Sequence, residues 1–431
     1  MRTKQELKNT VAQAIDNNAD RITAIADDIW KHPESGFREF RTAGIAANLL
    51  RELGLSVQEG IAYTGMRADL TSGKPGPKLA LLGEMDALII PTAAECDKTT
   101  GAFHGCGHHT HIASLLGAAI GLCLAKAQND FSGTVAFMPC PAEECIELEY
   151  RLDLMKQGKI GALGGKAAMI RAGAFDDIDI GAMIHIGGAY TAMDSNAFVK
   201  KLVRFIGKSS HAAIPHGGIN ALSAANVALH ALALMRETTS GIDPKSRIHG
   251  TITKGGDSIN VIPDDVRLAY QLRASSVEQL RAISRIFDNA MNGGALSVGA
   301  KAEIQTIPGY WAMYNDRDLY QLYRKIAGEL NPDRKIEDFI SPEPGSTDMG
   351  DVSAIMPALH AFAPGQNGPG HSPDFSIHDL RTACVNMSKI LAFLAIELLY
   401  GDAEAGKKLA DRKKNCMSIP GYIKAVDSMK E

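Results

Sequence analysis

A dense cluster of histidines stands at residues 104–111, where the chain reads His-Gly-Cys-Gly-His-His-Thr-His. The cluster holds four histidines and one cysteine, although the whole 431-residue chain has only 13 histidines. Imidazole and thiolate are ligands that divalent transition metals prefer, and the two glycines allow tight turns that let several side chains converge. This density indicates a metal site rather than histidines that merely begin a helix.

Acidic and imidazole side chains also follow three separate apolar runs further along the chain. Glu143 with Glu144, His185, and His371 each come soon after a short run that is typical of a buried strand. Ligands in open α/β sheets gather at the carboxyl ends of the strands. Of two adjacent carboxylates, one can bind a metal while the other works as a general base. Together the four groups predict one metal site at the edge of a sheet.

Two more residues occupy positions from which they can assist such a site. Asp86 lies just past an apolar run at 78–82, where its carboxylate can orient a ligand histidine from behind. His211 stands in the segment 209–215, and a histidine presented there can polarise the carbonyl of a substrate.

The runs that position these residues alternate with helical patterns. The predicted strands lie at 78–82, 134–138, 181–184 and 358–362, and the predicted helices at 112–126, 164–172 and 383–400. This alternation indicates an α/β fold, a mixed-sheet catalytic domain with helices on both faces of the sheet.

The middle of the chain follows a different order. Strands are predicted at 198–206, 248–253, 265–273 and 302–306, with helices at 220–237 and 277–291. This β-α-β-β-α-β order is that of a ferredoxin-like α+β unit. We therefore predict a catalytic domain in two parts, 1–194 and 309–431, interrupted by a smaller domain at 195–308.

Composition excludes several classes of protein. Hydrophobic residues make up 45% and charged residues 22%, which excludes a disordered or fibrous chain. The net charge of −4 gives no basic excess of the kind that nucleic-acid binders carry. The apolar run at 112–125 is shorter than the ~18 residues that span a bilayer. A polar start and an odd number of cysteines, seven, favour a cytoplasmic protein that binds neither nucleic acid nor membrane.

Across nearly its whole length the sequence resembles the aminoacylase/glutamate-carboxypeptidase-like metallopeptidases. The likeness is greatest to their amidohydrolase branch, which includes hippurate hydrolase, the plant auxin-conjugate hydrolases and aminobenzoyl-glutamate hydrolase. The segments that carry the resemblance are residues 31–37, 105–108, 141–144, 210–215, 260–263, 345–350 and 370–375.

The resemblance implies an α/β catalytic domain with one or two divalent metals and a ferredoxin-like lid or dimerisation domain. Carried over to this sequence, it implies five metal ligands: Cys106, His108, Glu144, His185 and His371. Glu143 becomes the general base, His211 the residue that polarises the carbonyl, and Asp86 the acidic residue behind the ligands. It also implies a homodimer, with manganese favoured as the metal and zinc as the other possibility.

Some positions depart from the family pattern. His109 stands where the family usually has Asp or Asn, and Glu84 where an Asp is common. Residues 145–163 look like an insertion, whose Tyr150 and Arg151 are candidates either for the substrate pocket or for contacts behind the metal ligands.

These residues leave three functions open. The first is hydrolysis of the C–N amide bond of a small N-acyl or aroyl amino acid or related conjugate, through a metal-activated water with Glu143 as base. Asn260 and Arg273 are the two candidates to hold the substrate carboxylate. The second is hydrolytic deamination of an activated aromatic amine by the same water, suggested by His109 and the insertion. The third is a catalytically inactive metal-binding homologue, which is disfavoured because every ligand position and Glu143 are chemically competent.

Overall fold

The computed structural model describes residues 1–338, 340–343 and 345–430. Over these residues the α-helices are α1 (Lys4–Asn17), α2 (Ala19–Lys31), α3 (Phe40–Glu52), α4 (His108–Leu124), α5 (Leu148–Lys156), α6 (Gly165–Arg171), α7 (Ala221–Leu234), α8 (Arg236–Ile242), α9 (Val277–Ser297), α10 (Arg317–Leu330), α11 (Met349–Ile355), α12 (Leu380–Leu399), α13 (Glu404–Ala410) and α14 (Ile419–Asp427). The strands are β1 (Val57–Ile61), β2 (Gly65–Thr71), β3 (Lys78–Glu84), β4 (Leu88–Ile89), β5 (Ala102–Phe103), β6 (Thr134–Cys140), β7 (Ile180–Gly187), β8 (Thr191–Ser195), β9 (Ala197–Ile206), β10 (Arg247–Lys254), β11 (Asp265–Ala274), β12 (Lys301–Pro308), β13 (Ile340–Glu343), β14 (Ala358–Pro364), β15 (Gln366–Asn367) and β16 (Ser376–Ile377).

The chain folds into two compact units. The first consists of Met1–Asp194, Tyr314–Ser341 and Asp351–Ile419. The second consists of Ser195–Met313, Pro342–Gly350 and the segment that begins at Pro420. The domain limits 1–194, 195–308 and 309–431 stay a prediction.

The first unit is built on a mixed sheet whose strands run in the order β1-β2-β6-β3-β7-β14-β8, with β13 next to β8. β3 is parallel to β6 and β7, and β7 is parallel to β14. β1 and β2 pair with their neighbours in antiparallel fashion, as does β8 with β14. The parallel strands are buried almost throughout, which explains their continuous apolar sequences. The predicted α/β fold class is confirmed.

Helix α4 begins at the histidine cluster and runs through the interior of the first unit. Its residues are buried from His108 to Leu122. Gly107, just before the helix, has a φ of +82°, and a Cβ there would lie 2.3 Å from Ile186 Cγ2. A side chain at this position would strain the backbone and would also clash with Ile186. The glycine therefore fixes where α4 starts and where His108 points.

In the described part of the chain, α12 alone is long and apolar enough to cross a membrane. In its most apolar window 78% of the residues are buried inside the protein. It packs against α1, α2, α4 and α10. Burial in the core of the first unit accounts for its composition.

The second unit carries its own antiparallel sheet, in the order β10-β11-β9-β12. With α7 and α8 after β9 and α9 after β11, the chain follows the ferredoxin-like order predicted from the sequence. One prediction for this unit was wrong in detail. The single helix expected at 220–237 is two helices, since α7 ends at Leu234 and α8 begins at Arg236.

Candidate metal centre

His108, the first residue of α4, is held by Asp86. Its Nδ1 lies 2.8 Å from the backbone oxygen of Asp86 and 3.2 Å from the carboxylate oxygen Oδ1 of the same residue. Two acceptors around Nδ1 mean that this nitrogen carries the proton and donates it. The lone pair of the neutral ring is then on Nε2, which is buried without a hydrogen-bond partner. Such an arrangement is typical of a metal-binding histidine.

Three more of the predicted ligands lie around His108. Cys106 Sγ is 3.5 Å from His185 Nε2. The ligand atoms of Cys106, His108 and Glu144 lie within 4.8 Å of one another. His185 Nδ1 is 2.5 Å from the backbone oxygen of Ile186, so the proton of this ring also sits on Nδ1 and leaves Nε2 facing the cysteine.

His371 reaches the same place from a separate loop. Its Nε2 lies 3.3 Å from Glu144 Oε1, while its side chain is 58% exposed. Its backbone N–H donates to the carbonyl oxygen of Gly105 at 2.9 Å, which ties this loop to the segment before Cys106. All five residues that the sequence singled out as ligands therefore come together in the first unit.

The chemistry of these donors fits a divalent transition metal. Glu84 Oε2, His108 Nε2 and Glu144 Oε1 are buried without a hydrogen-bond partner. Each buried polar atom left so costs about 1–3 kcal/mol, which a cation at their meeting point would offset. Nitrogen, oxygen and sulfur donors in one set suit zinc, manganese and related ions.

The protonation states of the buried side chains differ from one ligand to the next. Burial lowers the pKa of His185 to about 4 and that of His111 well below the usual range, so both rings are neutral at pH 7. Burial alone would lower the pKa of His108 as well, but Cys106 and Glu84 raise it above the usual range. Burial also raises the pKa of the Cys106 thiol, and metal binding to this site would therefore release protons.

Asp86 fixes the two glutamates as well as the histidine. Its Oδ1 accepts the backbone N–H of Glu143 at 3.0 Å and its Oδ2 accepts that of Glu144 at 2.8 Å. The carboxylate is 1% exposed. A carboxylate oxygen of Glu143 lies within 4.8 Å of one of Glu84. Asp86 thus sets His108, Glu143 and Glu144 in one fixed arrangement.

The segment 141–144, which we call the glutamate loop, rests on a second buried carboxylate that the sequence did not reveal. Glu39 Oε1 accepts the backbone N–H of Ala142 at 2.8 Å, and its Oε2 accepts the hydroxyl of Thr64 at 2.7 Å. Ala142 has a φ of 53°, a left-handed conformation that these contacts hold in place. Burial, followed by the charge of Asp86, raises the pKa of Glu39 to about 8.

Arg151, from the insertion, lies behind the glutamate loop and is fully buried. Its guanidinium donates to the carbonyl oxygens of Ala142 at 3.0 Å and Leu163 at 2.5 Å, and also to that of Glu144. The sequence suggested a place in the substrate pocket or behind the ligands, and the contacts of Arg151 are of the second kind. The neighbouring Tyr150 donates its hydroxyl to the carbonyl oxygen of Phe37. The insertion therefore supports the loop through α5.

His109 makes aromatic contacts rather than polar ones. Its ring centroid lies 4.8 Å from that of Trp30 and 5.3 Å from that of His104. The side chain is buried, and burial lowers its pKa well below the usual range. The departure from the family pattern at this position therefore places a neutral ring against α2.

The second unit brings His211 and Asn260 together. His211 pairs with Val261, and the N–H of Ala212 donates to the backbone oxygen of Asn260 at 2.9 Å. Both side chains are exposed. His211 Nδ1 accepts the N–H of Ala213 at 3.0 Å, so the proton of the neutral ring sits on Nε2, ready to be donated.

Sequence reasoning assigned no role to four buried residues near the ligands. They are Glu84, His111, Lys166 and His360. His360 lies within β14, where its apolar neighbours hid it, and its ring centroid is 5.6 Å from that of His185. Glu84 lies close to Asp86 and His111 lies in the histidine cluster, so the sequence could have suggested a role for both. The sequence could not suggest a role for Lys166, because only the fold brings it into contact with Glu84.

Comparison with known proteins places this geometry in a family. The sequence model of Peptidase family M20/M25/M40 matches residues 80–392. The chain belongs to this family. The M20 match covers the histidine cluster, the glutamate loop, His185, His211 and His371. The chain is therefore an M20 metallohydrolase that acts on C–N bonds, and the predicted enzyme class is confirmed.

Individual M20 relatives cover most of the chain. It is 28% identical over 422 residues to the Xaa-Arg dipeptidase of Mus musculus, covering 92% of this chain and 90% of that protein. It is 31% identical over 310 residues to one of the subunits of the p-aminobenzoyl-glutamate hydrolase of Escherichia coli (strain K12), covering 69% of this chain and 60% of that protein. The YXEP protein of Bacillus subtilis, described as a dinuclear metal binding peptidase, shares the fold with a TM-score of 0.68 at 22% identity, covering 89% of this chain and 99% of that one.

Proposed function

We propose that this M20 enzyme hydrolyses the amide bond of a small N-acyl or aroyl amino acid or a similar conjugate. The observation that carries the proposal is the convergence of Cys106, His108, Glu144, His185 and His371 beside Glu143. Two of the relatives are named for substrates of this kind, an Xaa-Arg dipeptide and an aroyl-glutamate. Both substrates carry a single amide bond next to a free carboxylate.

One or two divalent cations would be held by these five side chains. A cation there supplies Lewis acidity, which makes water more acidic and stabilises negative charge on a carbonyl oxygen. We favour manganese because the resemblance to the amidohydrolase branch implies it. Zinc is the alternative, since imidazole and carboxylate suit either ion while the thiolate of Cys106 suits zinc. Metal analysis of the purified chain distinguishes the two.

Glu143 would move the proton of the reaction. Its backbone N–H donates to Asp86, and a carboxylate oxygen of Glu143 lies within 4.8 Å of one of Glu84, which contacts His108. From there it takes a proton from the attacking water and later gives it to the leaving nitrogen. Proton transfer by a positioned carboxylate typically contributes about 10²–10⁴-fold in rate.

His211 would serve the carbonyl oxygen. The neutral ring carries its proton on Nε2, because Nδ1 accepts the N–H of Ala213. A donor of this kind at a developing oxyanion typically contributes about 3–4 kcal/mol. We propose Asn260, which neighbours His211, as a contact for the substrate carboxylate. A cytoplasmic homodimer, in which the second unit acts as lid or dimerisation domain, is part of the same proposal.

Aromatic deamination has less support than amide hydrolysis. It was suggested by His109 and by the insertion, but His109 packs against Trp30 and His104, and Arg151 is buried behind the glutamate loop. Neither residue is thus available to select an aromatic amine.

The test is a hydrolysis screen of the metal-stripped chain reloaded with manganese or zinc. Substrates are benzoyl-glycine, 4-aminobenzoyl-glutamate, an Xaa-Arg dipeptide and 2-aminobenzoate, and the readouts are free amino acid and ammonia. We expect release of amino acid from at least one amide and no ammonia from 2-aminobenzoate. Ammonia release without amide cleavage, or inactivity on every amide with either metal, would overturn the proposal.

A further inference from the structure

Glu84 is the centre of a buried group of charged and polar side chains beside the metal ligands. Lys166 Nζ lies 2.6 Å from Glu84 Oε1, and both side chains are at most 1% exposed. On its other side, Glu84 Oε2 lies 3.2 Å from His108 Nε2 and 3.2 Å from His111 Nδ1. The two oxygens of one carboxylate therefore face different surroundings.

The atoms around Glu84 Oε2 lie close together but do not form hydrogen bonds with one another. Oε2 itself, His108 Nε2 and His111 Nδ1 are all buried and make no well-directed hydrogen bond. Together with His185, ligand atoms of these side chains lie within 4.8 Å of one another. Glu84 Oε2 and His108 Nε2 approach within 3.2 Å without a hydrogen bond, as neighbouring ligands of one cation do, because each atom is directed at the ion rather than at the other atom.

His111 is nevertheless excluded as a ligand by its second nitrogen. Its Nε2 accepts the backbone N–H of Ile186 at 3.2 Å and therefore carries no proton. The proton of the neutral ring must then be on Nδ1, the atom that faces Glu84 Oε2. A protonated nitrogen cannot bind a metal, but it can donate to the carboxylate. His111 Nδ1 therefore faces Glu84 Oε2, 3.2 Å away, with a proton that it can donate once the two groups are aligned.

We propose that Glu84 is a further ligand of the metal centre, and that it binds the cation through Oε2 alone. Lys166 pairs with Oε1, while Oε2 lies beside the ligand nitrogen of His108, so Oε2 is the oxygen that faces the cation. His111 takes one lone pair of Oε2 and leaves the other for the cation. The proposal concerns the centre of the enzyme described above and depends on metal binding there, but not on any particular substrate.

The pair also has a consequence for charge. A carboxylate ligand normally donates a full negative charge and so weakens the Lewis acidity of the ion that it binds. Lys166 balances that charge inside the same buried space. The ion pair therefore offsets part of the negative charge that Glu84 brings to the centre.

Glu84→Gln tests the ligand atom directly. The ammonium of Lys166 forces the amide to turn its oxygen toward Oε1's position, which leaves an NH2 group facing the cation. We expect the Kd for Co(II), measured on metal-stripped chain against a competing chelator, to rise by at least about tenfold. The visible absorption of bound Co(II), which reports its ligands, should change as well.

The double variant Glu84→Gln with Lys166→Met should recover part of the Co(II) affinity. Without the ammonium, the amide is free to turn its oxygen to the cation. Recovery by removing a second residue is not expected of a purely structural role. Lys201→Met is the matched control, since Lys201 is equally buried and is paired with Asp288 in the second unit. It should leave the Kd and the Co(II) absorption unchanged.

Glu84→Asp and His111→Asn separate the remaining possibilities. Glu84→Asp keeps the charge, but its shorter side chain moves the carboxylate oxygen away from the cation, so it should also weaken Co(II) binding. This variant replaces Glu84→Gln if the latter does not fold. His111→Asn should keep the metal content of the wild-type chain. An unchanged Co(II) absorption in both Glu84 variants, or loss of metal from His111→Asn, would overturn the proposal. All these readouts are of binding, so failure to find a substrate does not affect them.

Discussion

The guanidinium of Arg151 donates a hydrogen bond to the backbone carbonyl oxygen of Glu144, the residue that also faces His371. Through this contact a side chain of the insertion reaches the back of the metal centre. It also binds the carbonyl oxygens of Ala142 and Leu163. A residue with no access to substrate therefore fixes the backbone that carries Glu143 and Glu144.

Replacing Arg151 should lower turnover more than substrate binding. Arg151→Met leaves buried carbonyl oxygens without a donor, at about 1–3 kcal/mol each, and loosens the glutamate loop. We expect a lower Tm and a kcat reduced by tenfold or more, with KM changed less. Arg151→Lys, which keeps the charge and can reach fewer oxygens, should recover part of kcat. A variant with normal kcat and a raised KM would instead indicate a role in the substrate pocket.

Replacing Glu143 should separate catalysis from metal binding. Glu143→Ala removes the proposed proton carrier but leaves the five predicted ligands, so the metal content should remain that of the wild-type enzyme. The kcat should fall by about 10²–10⁴-fold or more. Steady-state kinetics and metal analysis on the same preparation check both points. Near-normal turnover would show that the proton is carried by another group.

Glu39 should make the protein less stable as the pH rises. Its pKa is raised to about 8 by burial and by Asp86, whereas the unfolded chain has the ordinary value near 4.5. Between these values the folded state holds a proton that the unfolded state has lost. The contribution of Glu39 to the free energy of unfolding is therefore most favourable below about pH 4.5. This contribution is lost as the pH rises toward 8.

Glu39→Gln should remove that pH dependence. The amide can accept the N–H of Ala142 and donate to Thr64, as a protonated carboxyl does. We expect the variant to match the wild-type chain near pH 5 and to be more stable, with a higher Tm, at pH 8.5. Thermal unfolding of both proteins over this range is the measurement. Equal slopes of Tm against pH would mean that Glu39 is ionised in the folded protein.

Gly107→Ala should damage the metal centre through the backbone. The new Cβ would lie 2.3 Å from Ile186 Cγ2, at a φ of +82° that alanine adopts with strain. We expect a loss of about 1–3 kcal/mol in the free energy of unfolding, together with weaker metal binding because His108 follows directly. Gly44→Ala is the control, since a Cβ there meets nothing within 4 Å and lies within α3. That change should leave metal affinity unaltered and slightly raise stability.

The fold was readable from the sequence because its signals are periodic and local. Buried parallel strands such as β6 and β7 are continuous apolar runs, and the strands and helices of the ferredoxin-like unit follow one another in chain order. The boundary between α7 and α8 was missed because no proline or glycine marks it.

The site was only partly readable. The histidine cluster stood out because one short segment concentrates several donors, and Glu143, Glu144, His185 and His371 follow apolar runs. The buried positions of Lys166 and Arg151 could not be predicted, because charged residues are expected at the surface. Their neighbours in the sequence do not reveal that the fold brings a carboxylate to Lys166 and several carbonyl oxygens to Arg151. Glu39 was missed for the same reason.

The support that α5 gives to the glutamate loop limits how the segment 145–163 can change. A surface loop usually tolerates gain or loss of residues, since its backbone contacts water. Here a shorter segment would pull the guanidinium of Arg151 away from three buried carbonyl oxygens. The glutamate loop would then move, and the carboxylates of Glu143 and Glu144 would move with it. Variation in the length of this stretch should therefore alter the rate of the reaction before it alters the choice of substrate.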